Sequence, residues 1–413
     1  MHEVLFMGEY VETIIIGGGQ AGLATSYHLS QMNREHLVLE QAEQAGNAWR
    51  NQRWDSFTFV TPNWMIRLPG AEYQDDDPDG YLPRDEIVHY FEGYVERFRL
   101  PVRYGVRVTG VERNKKGYLV QTGQGDYRAA NVVIATGFFQ SPRLPSFSAK
   151  LPAGVVQLHT SEYRNPGQLP FGAVLVVGSG QSGCQIAEEL YLSGRKVYLS
   201  VGGTGRLPRR YRGKDITWWL FKSKFGERTV DQLPSPKDKY IENPQATGVR
   251  GGHTINLHQF ARDGVVLLGH ARDGRDGKIS LASNLMESLV KSDRFEAEMI
   301  QRIDESITQS GLNLPEEKLP ELRDGYSAEI ISELDLKTAG ITSIIWATGY
   351  HFDYSLVKLP VVDDDGFPLQ KRGVTNYSGL YFIGMPWLFK RQSGLLYGVG
   401  EDAEYIASAI AVK

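Results

Sequence analysis

Two glycine-rich turns of identical spacing carry the most chemistry in this chain. Gly17-Gly18-Gly19-Gln20-Ala21-Gly22 follows Thr13-Ile14-Ile15-Ile16, and Gly178-Ser179-Gly180-Gln181-Ser182-Gly183 follows Val174-Leu175-Val176-Val177. Gly-x-Gly-x-x-Gly between a strand and a helix is a seat for a pyrophosphate. The first glycine allows the tight turn, the second lets backbone amides approach the phosphates, and the third lets the helix pack closely on the strand. The helix N-terminus adds unpaired N–H groups and the positive end of its dipole. Two such turns in one polypeptide imply two bound dinucleotides.

The residues downstream of each turn separate the two sites. His36-Leu37-Val38-Leu39 ends at Glu40, spaced to accept hydrogen bonds from a ribose diol. Lys196-Val197-Tyr198-Leu199 ends instead at Ser200, and Arg206, Arg209, Arg210 and Arg212 follow. A carboxylate at that place repels a 2′-phosphate, so a serine trailed by arginines points to NADPH. Val201, Gly202 and Gly203 occupy the positions from which an arginine would clamp the phosphate most directly, which leaves NADH admissible as a second donor. A solvated surface loop is the other reading of the arginines.

The elements that must hold these turns are legible from pattern. Ile87, Phe91, Tyr94, Val95 and Phe98 recur at helical spacing behind Arg84-Asp85-Glu86. Short strands are expected at 56–60, 106–111 and 117–121, and Val132-Val133-Ile134 feeds the turn Ala135-Thr136-Gly137. The same strand and turn recur as Ile344-Ile345-Trp346-Ala347-Thr348-Gly349, and Gly379-Leu380-Tyr381-Phe382-Ile383-Gly384 precedes a last helix near Glu401. The expected fold class is α/β, with two Rossmann-like three-layer domains, the second (166–326) inserted into a discontinuous first (1–165 and 327–413). A charged helix from 284 to 307, with Leu285, Leu289, Phe295, Met299 and Ile303 on one face, falls in a helical insertion at about 215–325 that also holds Trp218 and Trp219. Whether that insertion covers a substrate entrance or forms a subunit contact, as in a homodimer, is open at this level.

Composition removes several function classes. The 413 residues, 41% of them hydrophobic, suffice for two or three domains with cores, and a net charge of -4 argues against a nucleic-acid partner. No apolar run approaches a membrane span, and the opening Met1 to Glu9 lacks the basic start and long apolar core of a signal peptide, so a cytoplasmic location is expected. The chain has one cysteine, Cys184, and so forms no internal disulfide and no Cys-x-x-Cys centre. His253 and His258, five residues apart, do not share a helical face as metal ligands, and no metal is expected.

The two fingerprints, Gly46 with Trp49, the two Ala-Thr-Gly turns and His159-Thr160-Ser161-Glu162-Tyr163 together resemble the single-component flavin-dependent monooxygenases, the class that includes flavin-containing, Baeyer–Villiger and N-hydroxylating enzymes. The resemblance covers most of the chain outside about 215–325. It implies FAD at the first site and NADPH at the second. It also implies hydride delivery to the flavin, addition of dioxygen at carbon 4a, and transfer of the distal oxygen of that hydroperoxide to a small nucleophilic substrate of amine, sulfide or indole type. His159 and Tyr163 match the later half of the family's Gly-x-x-x-His-x-x-x-Tyr/Phe motif, although Gly154 lies one residue too far upstream. Tyr163-Arg164 stands where Baeyer–Villiger enzymes carry Trp-Pro, which favours heteroatom oxygenation. The motif gives His159 a conformational or cofactor-orienting role, a capping histidine being the alternative. Asn63 is the expected polar group near the reactive flavin carbon, with Thr61-Pro62 as the other occupant of that place; Trp64 and Met65 line the pocket or fill core. A flavoprotein reductase or oxidase passing electrons to a quinone, an iron–sulfur protein or dioxygen is the rival function, and a redox-sensing regulator the third. An acidic substrate would require a buried cation, for which Arg67 and Arg391 are available.

Overall fold

The computed structural model describes residues 8–240 and 243–412; the segment through Met7, read above for a leader, lies outside the described residues. The first site is built by β1 (Glu9–Ile16), α1 (Gln20–Gln31), β2 (His36–Leu39), α2 (Arg84–Phe98) and β3 (Tyr127–Ile134). There follow β4 (Val156–His159), β5 (Ala173–Val177), α3 (Gln181–Leu192), β6 (Val197–Ser200) and α4 (Ile216–Lys222). The chain continues through β7 (Val266–Leu268), α5 (Leu285–Ser310) and β8 (Ile341–Trp346), and closes with β9 (Leu380–Phe382) and α6 (Val399–Ala411).

Unbroken aliphatic runs form strands buried on both faces, as parallel sheets require. Ile14 to Ile16 and Val174 to Val177 are all buried. The first sheet carries β9-β3-β1-β2 in parallel, with short antiparallel strands at its margins, and the second is wholly parallel in the order β4-β8-β5-β6-β7. One unit therefore occurs twice, as β3-β1-β2 and as β8-β5-β6. In both, the fingerprint strand ends level with its neighbour, Ile16 beside Ile134 and Val177 beside Trp346.

Sheet membership moves two boundaries. The residues of β4 and β8 belong to the second sheet, whereas the sequence reading gave 1–165 and 327–413 to the first domain. The recurring strand and Ala-Thr-Gly turn marks the second copy of the unit, not a return to the first, because each fingerprint strand needs its own parallel neighbour. The 215–325 stretch is likewise not wholly an insertion: it supplies β7 to that sheet, and a hairpin of Ala271–Arg275 with Lys278–Leu281 joined by Glu333–Asp335. We propose that the two domain joints lie at the antiparallel ribbon formed by Ser141–Pro142 and Tyr350–His351, where the chain leaves the first sheet and where it comes back.

Packing follows the expected faces. Ile87, Phe91 and Tyr94 of α2 join Leu23, Ala24 and Leu29 of α1 and Ile406 and Ile410 of α6 in one core. In α5 the residues Leu285, Leu289, Met299 and Ile303 are buried, and Phe295 packs at the margin of a cluster with Trp219. The expected strand at 56–60 is an irregular segment held by a single bridge from Thr58 to Pro83. Among the described residues no helix is long and apolar enough to cross a membrane.

Candidate active site

The first glycine turn has the geometry its sequence demands. Gly17 has φ of 110°, where a side chain would begin 2.5 Å from the Ala135 carbonyl oxygen, and a side chain at Gly22 would collide with the Gly17 carbonyl. Gly19 caps α1, and nothing lies within 4 Å of the point where its side chain would begin, so the loop is open on that side. The Glu40 carboxylate accepts from the Gly18 amide at 2.6 Å and from the Ala42 amide at 2.9 Å, which fixes it beside the turn at the end of β2. Gln20 donates to the Gly394 carbonyl at 2.8 Å, and Gly384 lies so close to Ala21 that a side chain there would begin 2.6 Å from the alanine methyl. The C-terminal segment thus closes over α1. The Gln140 amide holds the Thr136 hydroxyl and the Gly137 carbonyl at 2.7 and 2.9 Å. Gly46 (φ 70°) turns the chain into the helical turn that presents Trp49 to Phe57 and Phe59.

The second turn repeats this arrangement. Side chains at Gly178 and Gly183 would strike the carbonyls of Ala347 and Gly178, and Gly180 caps α3. Segment 244–247 lies across it: Gln181 and Gln185 donate to the Pro244 and Ala246 carbonyls at 3.0 and 2.6 Å, and Gln245 donates to the Ser179 carbonyl at 2.7 Å. Ser182 sits half-buried in the first turn of α3.

His159, at the end of β4, meets the turn that follows β8 in the same sheet, next to the ribbon strand Tyr350–His351. Its Nε2 faces the Gly349 carbonyl at 3.1 Å, its Nδ1 faces the Ser161 hydroxyl at 2.9 Å, and its ring stands edge-on to Tyr350 at 4.8 Å. A carbonyl can only accept, so Nε2 carries the proton and Nδ1 accepts from Ser161. Thr348, from the same turn, donates to the Arg143 carbonyl. Burial lowers the His159 pKa, against the Gly349 bond and the Glu162 carboxylate. A lowered folded value means that its contribution to stability is full above the unfolded value of about 6.5 and is lost as pH falls through the folded value. Replacing His159 with Gln is therefore expected to flatten part of the decline in Tm between about pH 7 and 5. An unchanged slope would dissociate this histidine from acid sensitivity.

Several predicted site residues are placed elsewhere. Asn63 is 2% exposed, and its carboxamide accepts from the Leu82 amide and donates to the Asp77 carbonyl, so it pins the 77–82 loop. Tyr163 is fully buried beneath α3 and donates to Glu189 at 2.7 Å; burial, then that bond, raises its pKa and keeps the phenol neutral. Ser200 donates to the Gly269 carbonyl and accepts from the Ala271 amide, which ties β6 to the end of β7. Arg206 pairs with Asp293 and Glu296 at 2.7 and 2.5 Å. Arg209 pairs with Asp215 at 2.6 Å, and Arg210 donates to the Gly251 and Gly252 carbonyls. The serine and these arginines thus all have partners within the protein, and of the three arginines Arg210 is the exposed one.

Two residues emerge that the sequence reading passed over or left secondary. The Thr61 hydroxyl is buried without a hydrogen-bond partner among the described residues, an orphan that a bound group would satisfy. The ammonium of Lys291, from α5, lies 3.3 Å from where a side chain at Gly203 would begin, which puts a cation at the turn after β6.

The family model for pyridine nucleotide-disulphide oxidoreductases matches residues 14–220, half of the chain. This chain belongs to that family. The oxidoreductase is 36% identical over 406 residues to the uncharacterized oxidoreductase CzcO-like of Geobacillus kaustophilus, covering 98% of this chain and 99% of the relative. It is 29% identical over 204 residues to the indole-3-pyruvate monooxygenase YUCCA1 of rice, covering 48% of this chain and 50% of that one. Its fold is that of a flavin-containing monooxygenase from Stenotrophomonas maltophilia, with a TM-score of 0.68 at 18% identity, covering 98% and 99% of the two chains. The family name refers to a disulphide, but this oxidoreductase has only Cys184, wholly buried in the first turn of α3.

Proposed function

We propose that the protein is an FAD-containing, NADPH- and O2-dependent monooxygenase acting on a small nucleophilic substrate. The observation that carries this reading is the pairing of two complete nucleotide turns with a single, buried cysteine. A relay from flavin to a thiol pair needs two sulfurs, and this chain has one, so electrons arriving from a nicotinamide require another acceptor. Dioxygen together with a substrate fits the fold shared with flavin-containing monooxygenases.

The residues present fit both nucleotides. The open side of Gly19 and the carboxylate of Glu40 suit FAD at the first turn; the turn after β6, with Lys291 beside Gly203, suits the 2′-phosphate of NADPH at the second. FAD, when bound, supplies two-electron acceptance from NADPH and the activation of dioxygen. His159 holds the Gly349 turn at the joint, so its role is positioning. Segment 244–247 and the C-terminal segment brace the second turn and α1 respectively through hydrogen bonds.

Stopped-flow mixing of the NADPH-reduced protein with oxygenated buffer tests the reading. The expected result is a near-ultraviolet transient that precedes flavin reoxidation and shortens when an amine, sulfide or indole is added. Immediate reoxidation with stoichiometric hydrogen peroxide would overturn it in favour of an oxidase or reductase.

A further inference from the structure

Arg67 and Arg228 come up against Arg391 of the C-terminal segment that closes over α1. The backbone brings two of them together: the Arg391 amide donates to the Arg228 carbonyl at 2.9 Å, and the Val230 amide to the Phe389 carbonyl at 2.9 Å. Tyr397 stands among them; burial raises its pKa while Arg391 and Arg67 oppose the rise. Arg206, Arg209 and Arg212 each have a carboxylate partner, but no described carboxylate forms an ion pair with Arg67, Arg228 or Arg391. Arg67 and Arg391 have aromatic faces instead, and Arg391 one amide. The Arg391 guanidinium lies 4.6 Å from the Phe225 ring and donates to Asn243 at 2.6 Å, and that of Arg67 lies 5.3 Å from the Phe221 ring. Phe221, on α4, meets Trp64 edge-on at 5.3 Å and is 44% exposed.

Like charges held together and partly withdrawn from water are unfavourable unless an anion completes them. Burial, with Arg228 alongside, lowers the pKa of Arg391, the direction expected of a cation that lacks its counter-ion. The apolar rings of Phe221 and Phe225 flank the same guanidinium groups, so the occupant must carry an apolar body as well as a charge. The cluster is also joined to the nucleotide site, since Arg391 opens the turn Arg391–Gly394 whose last carbonyl is held by Gln20.

We infer that Arg67, Arg228 and Arg391 form the anion subsite of the substrate pocket, and that the substrate is an amphipathic carboxylate whose ring lies against Phe221 and Phe225. The word substrate rests on the monooxygenase reading; the anion subsite does not. The probe pair is 3-phenylpropanoate and its uncharged amide, titrated calorimetrically into oxidised, FAD-loaded protein without NADPH, so that no turnover is required. The acid is expected to bind at least about tenfold more tightly than the amide, the worth of one charge-assisted hydrogen bond. Arg67→Ala and Arg391→Ala are each expected to erase most of that preference while flavin absorbance is retained, and Arg391→Lys to keep part of it. Equal affinity for acid and amide, no measurable binding of the acid, or an unchanged preference in both alanine variants would overturn the inference. Loss of FAD from the variants, or displacement of the acid by saturating NADP+, would assign the arginines to a nucleotide phosphate and equally overturn it. If the acid binds as expected but the oxygen reaction shows no transient, the oxygenase reading fails and the anion subsite stands.

Discussion

A methyl group at Gly22 is expected to deprive this protein of its FAD, whereas a methyl group at Gly19 is expected to weaken FAD binding and leave the fold intact. The two positions are three residues apart in one loop, yet their surroundings differ completely. At Gly22 the added carbon would strike the Gly17 carbonyl, which belongs to the turn that leaves β1. Relief requires α1 to move off the sheet, where Leu23, Ala24 and Leu29 are packed in the core, and overpacking of this kind costs about 1–3 kcal/mol. Gly22→Ala protein should purify colourless, with a lowered Tm. At Gly19 the backbone is extended, with φ of -83°, a conformation open to any residue, and no atom lies within 4 Å. Gly19→Ala should therefore unfold at the wild-type temperature, while its methyl stands where the phosphates must approach the backbone amides, raising the FAD dissociation constant at least about tenfold. Flavin fluorescence on dilution measures the second effect and calorimetry the first. Wild-type FAD affinity in Gly19→Ala would mean that the open side of this loop is not the seat of the pyrophosphate.

The contrast shows where sequence pattern is sufficient. Gly17, Gly22, Gly178 and Gly183 are dictated by the collision of backbone with backbone inside a few residues, so their spacing alone reveals both turns. Helices α2 and α5 were legible for a related reason, their buried positions recurring at the helical period. Tertiary pairing was not. Arg206 follows β6 closely enough to suggest a phosphate clamp, but its acid partners lie nearly ninety residues downstream on α5, and nothing in the spacing announces them. Asn63 and Tyr163 fit a family pattern, yet their hydrogen bonds to Leu82 and Glu189 depend on how the 77–82 loop and α3 dock. The second Ala-Thr-Gly turn was visible but credited to the wrong sheet, because a repeat and a return to the first domain leave the same mark on a sequence. Arg67 and Arg391 were both seen as available cations; only folding puts them around one tyrosine.

Removing the Arg206 side chain is expected to unfold the protein sooner without changing its choice of coenzyme. The guanidinium is 8% exposed and sits between Asp293 and Glu296, and Glu296 is 15% exposed. Burial works to lower its pKa, and the two carboxylates more than offset that effect. Arg206→Ala would leave both acids facing one another without a counter-charge, and breaking a buried pair in this way destabilises by about 3–5 kcal/mol. Asp293 would keep its bonds to Tyr326 and His258, but Glu296 has no such alternative in view, so α5 should detach first. Thermal unfolding followed by circular dichroism should show a Tm lower by several degrees, while the ratio of kcat/KM for NADPH to that for NADH stays within about twofold of wild type. Lys291→Ala should do the reverse: its ammonium stands at the Gly203 turn on an exposed side chain, so Tm should be unchanged while the ratio falls about tenfold, the scale of one lost charge contact to a phosphate. A collapse of NADPH preference in Arg206→Ala, with Lys291→Ala silent, would restore the arginine to the coenzyme and require the pairing with α5 to open when NADPH binds. The two variants therefore decide between a helix tethered by charge and a loop that reads the 2′-phosphate, two roles that residues following β6 present identically in sequence.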